Sequence, residues 1–292
     1  LNRQARWGWL FISPWILGFL VFTAGPMLTS LFLSLHVYDL HQLEYVGLEN
    51  YKRLFTVDPI FPKSLRITLI YALFAVPLGQ IASLALAVLL NQKVRGQQVF
   101  RTLFYLPSLV PGVATAIIWQ WVFNTDHGAL NQFLGWFGIP QIAWLQKEAY
   151  TLPAFVLMSL WGAGGARMII FLAGLQGVDE SLLEAAMLDG ASPWKRFRNV
   201  TLPLLSPVLF FNLVMGIIGA FQVFETAYVM TGGGPNNGSR FYALYLFQTA
   251  YDQFKLGKAS AMAWVLFLIL LVITGIQFYG SRKWVYYERS AS

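Results

Sequence analysis

The sequence predicts an all-α membrane protein of six transmembrane helices. Hydrophobic residues fill 57% of the 292 positions and charged residues only 11%, where a soluble chain carries about 25% charged residues. Mean hydropathy is +0.57. Six apolar stretches are long enough to cross a hydrocarbon core, which takes roughly 20 residues and tolerates about 17 to 25. The net charge of +7 comes from Lys and Arg scattered at the ends of apolar runs. It forms no basic stripe, so it reads as a topology signal and argues against a nucleic-acid surface. The chain has no cysteine, which excludes disulfides, cysteine-ligated metals and thiol chemistry.

The first span, 9–35, contains Pro14, Gly18 and Pro26. It is too long and too unlike a cleavage site for a signal peptide, and is expected to be a retained anchor. An outer loop leads to the second span, 66–90. The third, 102–123, carries Pro107, Pro111 and Gly112, which membrane helices accept better than soluble ones do. A further outer loop with Gly128, Gly135, Trp136 and Trp144 precedes the fourth span, 152–174. An inner loop, 176–200, and the fifth span, 201–225, follow. The outer loop 232–258 opens on turn-forming glycines, Pro235 and an Asn-Asn-Gly run, then reads FYALYLFQTAYDQF. That aromatic segment is expected to form a helix lying as an amphipathic scaffold at the outer interface. The sixth span is 259–281. The chain thus divides into an accessory helix and outer loop, 1–65, a core of five spans, 66–281, and a tail, 282–292.

Orientation follows from the cations. One side holds eleven: Arg3, Arg6, Lys93, Arg95, Arg101, Lys195, Arg196, Arg198, Arg282, Lys283 and Arg289. The other holds eight: Lys52, Arg53, Lys63, Arg66, Lys147, Arg240, Lys255 and Lys258. The first set sits on shorter loops and tails, so its density is higher still, which places both termini and the loop 176–200 in the cytoplasm.

That inner loop reads as two short helices with a sharp joint. Asp179 is an N-cap, Glu180 and Glu184 suit the positive first turns, and Gly190 can take the left-handed position that ends a helix. Ser192 followed by Pro193 repeats the start signal, because proline at the first helical position loses nothing by lacking an N–H. Leu182, Leu183, Ala186 and Met187 offer an apolar face, and small Ala185 and Ala186 permit close approach. Either this is a solvated loop on the membrane surface or it is a docking knob for a cytoplasmic partner.

Within the spans, Gly216, Gly219, Ala220 and Val223 fall at i, i+3, i+4 and i+7 of the fifth. Such a stripe serves close helix packing or makes room for a solute. The fourth span runs Trp161, Gly162, Ala163, Gly164, Gly165, Ala166 and then Arg167. Trp161, Trp119, Trp121 and Tyr228 are candidates for stacking on the apolar faces of a solute's rings, and equally for the interfacial aromatic belt. Arg167 and Glu225 are costly within apolar spans. Two readings stay open: they pair with each other, or Arg167 faces the path and admits an acidic or strongly hydrated solute.

Three blocks carry a family resemblance. Glu184-Ala185-Ala186, three residues, Gly190, nine residues, then Val200-Thr201-Leu202-Pro203 resembles the EAA loop of permease subunits in binding-protein-dependent, ATP-driven (ABC) importers. Thr231-Gly232-Gly233-Gly234-Pro235 is similar to the signature of the sugar and oligosaccharide, maltose-type branch. Gly257-Lys258-Ala259-Ser260-Ala261 is similar to that branch's entry into its last span, with Lys258 where Tyr is usual. The resemblance spans about residues 10–285. It implies a type I importer permease fold in a bacterial cytoplasmic membrane, with Glu184, Ala185, Ala186, Met187, Asp189 and Gly190 on the helix that couples to an ATPase. It further implies a second homologous permease, two ATPase subunits carrying ATP and magnesium, and an extracytoplasmic binding protein that delivers a saccharide. The face of Gly216, Gly219, Ala220 and Val223, with Trp161, Ala163, Arg167 and Glu225 nearby, would contribute to the path, and the partner permease would supply much of the selectivity.

The absences agree. The phosphate-cradling pattern GxxxxGK[ST] does not occur, since Gly257-Lys258 is followed by Ala259. No HExxH or paired nucleophile and base is present, so the chain is expected not to be catalytic and to bind no metal or cofactor of its own. Two rival readings remain: an importer of the same superfamily for a non-sugar solute such as a glycerophosphate, and a secondary transporter without an ATPase. The latter calls for inverted repeats and coupling-ion carboxylates in the spans, where only Glu225 is at hand.

Overall fold

The computed structural model describes residues 3–92 and 95–286, with side chains from residue 7 onward. Of the cations used for orientation, Lys93 and Arg289 lie outside the described residues, as do the side chains of Arg3 and Arg6. In chain order, α1 (Arg3–Phe19) passes through a π turn into α2 (Gly25–Ser34), and a hairpin of β1 (His36–Tyr38) and β2 (Leu43–Tyr45) leads to α3 (Glu49–Thr56). Helix α4 (Ile60–Leu90) is followed by α5 (Gln97–Tyr105), α6 (Gly112–Val122), α7 (Ala129–Gly135), α8 (Glu148–Trp161) and α9 (Ala166–Gln176). Then come α10 (Glu180–Leu188), α11 (Pro193–Arg196), α12 (Leu202–Leu204), α13 (Ser206–Phe221), α14 (Glu225–Thr231), α15 (Tyr242–Phe247) and α16 (Leu256–Ser281).

Three stretches, Trp7–Ser34, Ile60–Leu90 and Leu256–Ser281, are helices long and apolar enough to cross a membrane unaided. The third, fourth and fifth expected spans are not continuous helices. They are pairs bent by 95°, 46° and 65°, and counting each pair as one span gives six. Each bend has a local cause. At the third, Pro111 forces Val110 out of the helical region, to φ −72° and ψ 126°, and α6 restarts at Gly112. At the fourth, the run Gly162 to Gly165 ends α8 in a 3-10 turn, and Gly165 sits at φ −77° and ψ −149°. At the fifth, Leu205 stands between Pro203 and Pro207, and Pro207 occupies the first turn of α13. Membranes tolerate such breaks where other protein segments cover them. Here the third and fourth breaks cover each other: a β-carbon on Gly164 would strike the Phe104 carbonyl oxygen, and one on Gly165 would stand 2.9 Å from Ser108 Cβ.

The breaks revise two placements. Arg167 is not deep in an unbroken helix but is the second residue of α9. Glu225 is not on the fifth span: α13 ends at Phe221, and Glu225 opens α14 after a break at 222–224. The second span also starts earlier than expected, at Ile60, because Asp58 Oδ1 accepts from the N–H groups of Ile60 (2.9 Å) and Phe61 (3.2 Å) and so caps α4.

The chain forms two compact units, one of residues 1–61 and 245–270, the other of 62–244 and 271–292. In the first, Trp7–Ser34 has none of its most apolar window buried within the protein, so its surface is left for lipid or a partner. The β hairpin approaches α16 so closely that a β-carbon at Gly257 would meet the His36 carbonyl oxygen. Beside it lies a polar cluster the sequence did not announce. Lys258 Nζ pairs with Asp58 Oδ2 at 2.6 Å and donates to Tyr245 Oη at 2.9 Å, while Tyr245 Oη donates to the same Asp58 oxygen at 2.6 Å. The Asp58 side chain is 8% exposed. Burial pushes its carboxyl up, but the hydrogen bonds from Lys258, Tyr245 and the Ile60 N–H outweigh that and hold it below the usual carboxylate range.

In the second unit a core of Ala87, Leu90, Met168, Phe171, Leu172, Leu175 and Leu205 ties the end of α4 to α9 and to the bend before α13. Gly174 permits that contact, since its β-carbon would stand 2.9 Å from both Leu205 Cδ2 and Val208 Cγ2. The aromatic segment after the glycine loop is helical as expected, but it is not a surface scaffold. Phe241, Tyr242 and Leu244 are fully buried. Phe241 packs edge-on against Tyr71 and Phe155, with ring centroids 5.1 and 5.3 Å apart, and the Tyr242 N–H donates to Thr68 Oγ1 at 2.9 Å.

Candidate functional site: a capped hairpin and a small cavity

The loop 176–200 folds as its residues dictate. Asp179 accepts from the Ser181 N–H at 2.9 Å and starts α10; that bond holds its carboxyl below the usual range. Gly190 ends the helix at φ +75°, where an L side chain is strained, and the Ala191 N–H returns to the Ala186 carbonyl at 3.0 Å. Ser192 Oγ accepts from the Lys195 N–H at 3.4 Å, with Pro193 at the first position of α11. No residue of α10 is buried. Met187 and Leu188 are 54% and 87% exposed, so this part of the apolar face has no cover among the described residues. Glu184, Ala185, Asp189 and Gly190 are also exposed, and Ala186 is partly so. A groove of about 300 Å³ runs beside the hairpin, lined by Gly174, Gly177, Asp179, Leu182, Leu204 and Pro207.

The second feature is a cavity of about 170 Å³ that brings Arg167 together with Gly216, Gly219, Ala220 and Val223, along with Tyr71, Ala75, Val76, Ser159 and Met215. The small-residue stripe packs closely at one glycine and borders open space at another. At Gly216 a β-carbon would stand 3.1 Å from Val76 Cγ1 and 3.3 Å from Arg167 Nη2, so this position gives room to packing and to the guanidinium. At Gly219 nothing lies within 4 Å, and the helix borders open space. Gly79 of α4, which sequence reasoning passed over, also makes room: a β-carbon there would collide with Arg167 Nη1. The available signal was a glycine inside a helix, where it destabilises by roughly 0.5–1 kcal/mol relative to Ala unless a close approach requires it.

Arg167 and Glu225 do not pair. The ion pairs among the described residues are Arg53–Glu49, Lys63–Glu148 and Lys258–Asp58. Glu225 instead lies with its carboxylate against Gly112, in the first turn of α6, where the helix dipole favours an anion. Trp161 and Ala163 are not among the residues lining this cavity. The Trp161 ring meets Trp119 edge-on at 6.1 Å, and Ala163, buried at the break, accepts from Ser83 Oγ through its carbonyl at 2.7 Å. Trp121 lines a separate pocket of about 550 Å³ with Gln120, Asn124, Gln146, Thr231 and Pro235. The glycine signature is a self-bonded loop: Gly232 and Gly233 adopt φ +59° and +98°, Thr231 and Ser239 share a 2.6 Å hydrogen bond, and Lys63 Nζ donates to the Asn236 carbonyl at 2.6 Å.

Among the described residues no group of three or more His, Cys, Asp or Glu side chains is arranged to hold a metal.

Residues 75–285 match the model of a family described as the binding-protein-dependent transport system inner membrane component. The chain is 48% identical over 286 residues to the probable ABC transporter permease protein YesP of Bacillus subtilis, covering 96% of this chain and 92% of that one. It is 34% identical over 274 residues to the trehalose/maltose transport system permease protein MalF of Thermococcus litoralis, covering 93% and 92%. In fold it is similar to a chain of a bacterial ABC transporter involved in import of the acidic polysaccharide alginate, with a TM-score of 0.83 at 22% identity over 96% and 98% of the two chains.

Proposed function

The chain belongs to the family of binding-protein-dependent transport system inner membrane components, and from that premise we propose that it is one permease subunit of an ATP-driven saccharide importer. It works beside a second, homologous permease and above two ATPase subunits, which carry ATP and magnesium. An extracytoplasmic binding protein delivers the saccharide to the outer face. Both termini and the hairpin of α10 and α11 face the cytoplasm.

The observation that carries this reading is the hairpin. A helix capped at both ends, with no buried residue and with Met187 and Leu188 facing outward, leaves an apolar surface that a partner must cover. Ala185 and Ala186 let that partner come close. The two ends of the hairpin run into α9 and, through α12, into α13, and these are joined by the core around Leu205. A push on α10 therefore acts on the elements that carry Arg167 and Gly216. Closure of the ATPases would drive the hairpin, and rocking of the broken spans would open the cavity alternately to either side. The chain supplies the path and the lever, and hydrolysis occurs elsewhere.

Affinity purification of the tagged chain from its native membrane tests this. The expected result is recovery of a second permease and an ATPase in stable stoichiometry. A chain that purifies alone and catalyses solute exchange would support a secondary transporter instead.

A further inference from the structure

We propose that the cavity around Arg167 is a carboxylate-reading subsite, and that the saccharide carried is acidic, with a uronic acid residue placed against the guanidinium; this rests on the transport reading above. An arginine side chain stays ionised at any pH the cell offers, and a charge at membrane depth is expensive unless it meets water, a partner or an anion. Among the described residues Arg167 has neither an ion pair nor a hydrogen bond. Glu225, the acidic residue that the sequence offered as its counter-charge, is held at the first turn of α6 instead.

The surroundings are shaped to keep the cation in place. Gly79 on α4 clears space at Nη1 and Gly216 on α13 clears space at Nη2, so two helices each give up a side chain where the guanidinium fork lies. An arginine needed only to cap a helix or to reach the interface would require no such room. The fork opens on a cavity whose other side-chain polar groups are the hydroxyls of Tyr71 and Ser159, the latter donating to the Val156 carbonyl at 2.6 Å and so left to accept. A planar guanidinium pairs with a carboxylate through two parallel hydrogen bonds, while hydroxyls of this kind can exchange hydrogen bonds with sugar hydroxyls. Gly219, with open space in front of it, leaves passage for the ring. The lining therefore combines one fixed cation with neutral donors and acceptors and contains no carboxylate.

Equilibrium binding to the purified permease and ATPase assembly tests the inference, with a triuronate and its carboxyl-reduced, neutral counterpart as probes. The wild-type assembly is expected to bind the triuronate about 10- to 100-fold more tightly, the range of one charge-assisted pairing. Arg167→Met should erase that preference while leaving ATPase copurification unchanged, and Arg167→Lys should keep part of it. Equal wild-type affinity for both probes, or a preference that survives Arg167→Met, would overturn the proposal while leaving the transport reading intact. Loss of assembly in Arg167→Met would also overturn it, by showing that the counter-charge belongs to a neighbouring subunit. Binding of neither probe by the wild type would count against the saccharide path itself.

Discussion

Ala185→Trp is expected to give a folded permease that no longer holds its ATPase, with solute uptake reduced by about 100-fold or more, the effect of filling the centre of a docking surface. Ala185 is exposed on α10, so the added ring meets solvent within this chain and costs it little. The defect appears only when another surface must approach. Gly190→Pro should be as severe for another reason. Proline fixes φ near −65°, whereas this joint sits at +75°, so α11 would leave at the wrong angle and the hairpin would lose its shape. Gly190→Ala is the graded case, costing on the order of 1 kcal/mol for the left-handed conformation. Copurification and uptake are the readouts. An Ala185→Trp chain that retains ATPase and transports normally would remove α10 from the interface.

The second large effect concerns Asp58, Tyr245 and Lys258. Lys258→Met leaves a carboxylate that is 8% exposed with its cation gone, and Asp58→Asn strands the ammonium. Each should lower stability in detergent by about 1.5–3 kcal/mol, the cost of losing a hydrogen bond to a charged group. The double variant Asp58→Leu with Lys258→Met should recover part of it, since a buried pair replaced by apolar groups is often close to neutral. The pH dependence has a definite sign. The Asp58 carboxyl titrates lower in the folded protein than in the unfolded chain, where a free Asp sits near about 3.9. Its contribution is complete above that unfolded value and is lost as pH falls through the folded one. Melting midpoints should therefore fall less between neutral and strongly acid pH in Asp58→Asn than in the wild type. A variant with an unchanged midpoint at neutral pH would show that the pair does not hold this unit together.

Much of this could be read from the sequence, for physical reasons that differ from place to place. The hairpin was legible almost completely, because caps, a left-handed glycine and a first-turn proline are local signals and the loop makes few distant contacts. Span number was legible from apolar length. Span shape was not: Pro107, Pro111 and Gly112 read as tolerable in a membrane helix, but whether such residues kink or break it depends on what packs against the exposed backbone. Here that is the approach of Gly164 to the Phe104 carbonyl, between residues sixty apart. The Asp58 and Lys258 pair joins residues two hundred apart in the sequence, and no spacing rule connects them. The buried position of Phe241 and Tyr242 was missed because an aromatic helix looks alike whether it lies at an interface or fills a core. Arg167 was singled out by cost, and its companions Gly216, Gly219, Ala220 and Val223 by period. Gly79 was overlooked, as its role appears only when a side chain from another helix arrives.

ATP hydrolysis by the complete assembly in proteoliposomes tests the central claim most directly. With binding protein and saccharide supplied on the outer side, hydrolysis and uptake should rise together, and both should fall to background when Ala185→Trp replaces the wild-type chain. Saccharide accumulation by this chain without an ATPase, driven by an ion gradient and insensitive to Ala185→Trp, would contradict it.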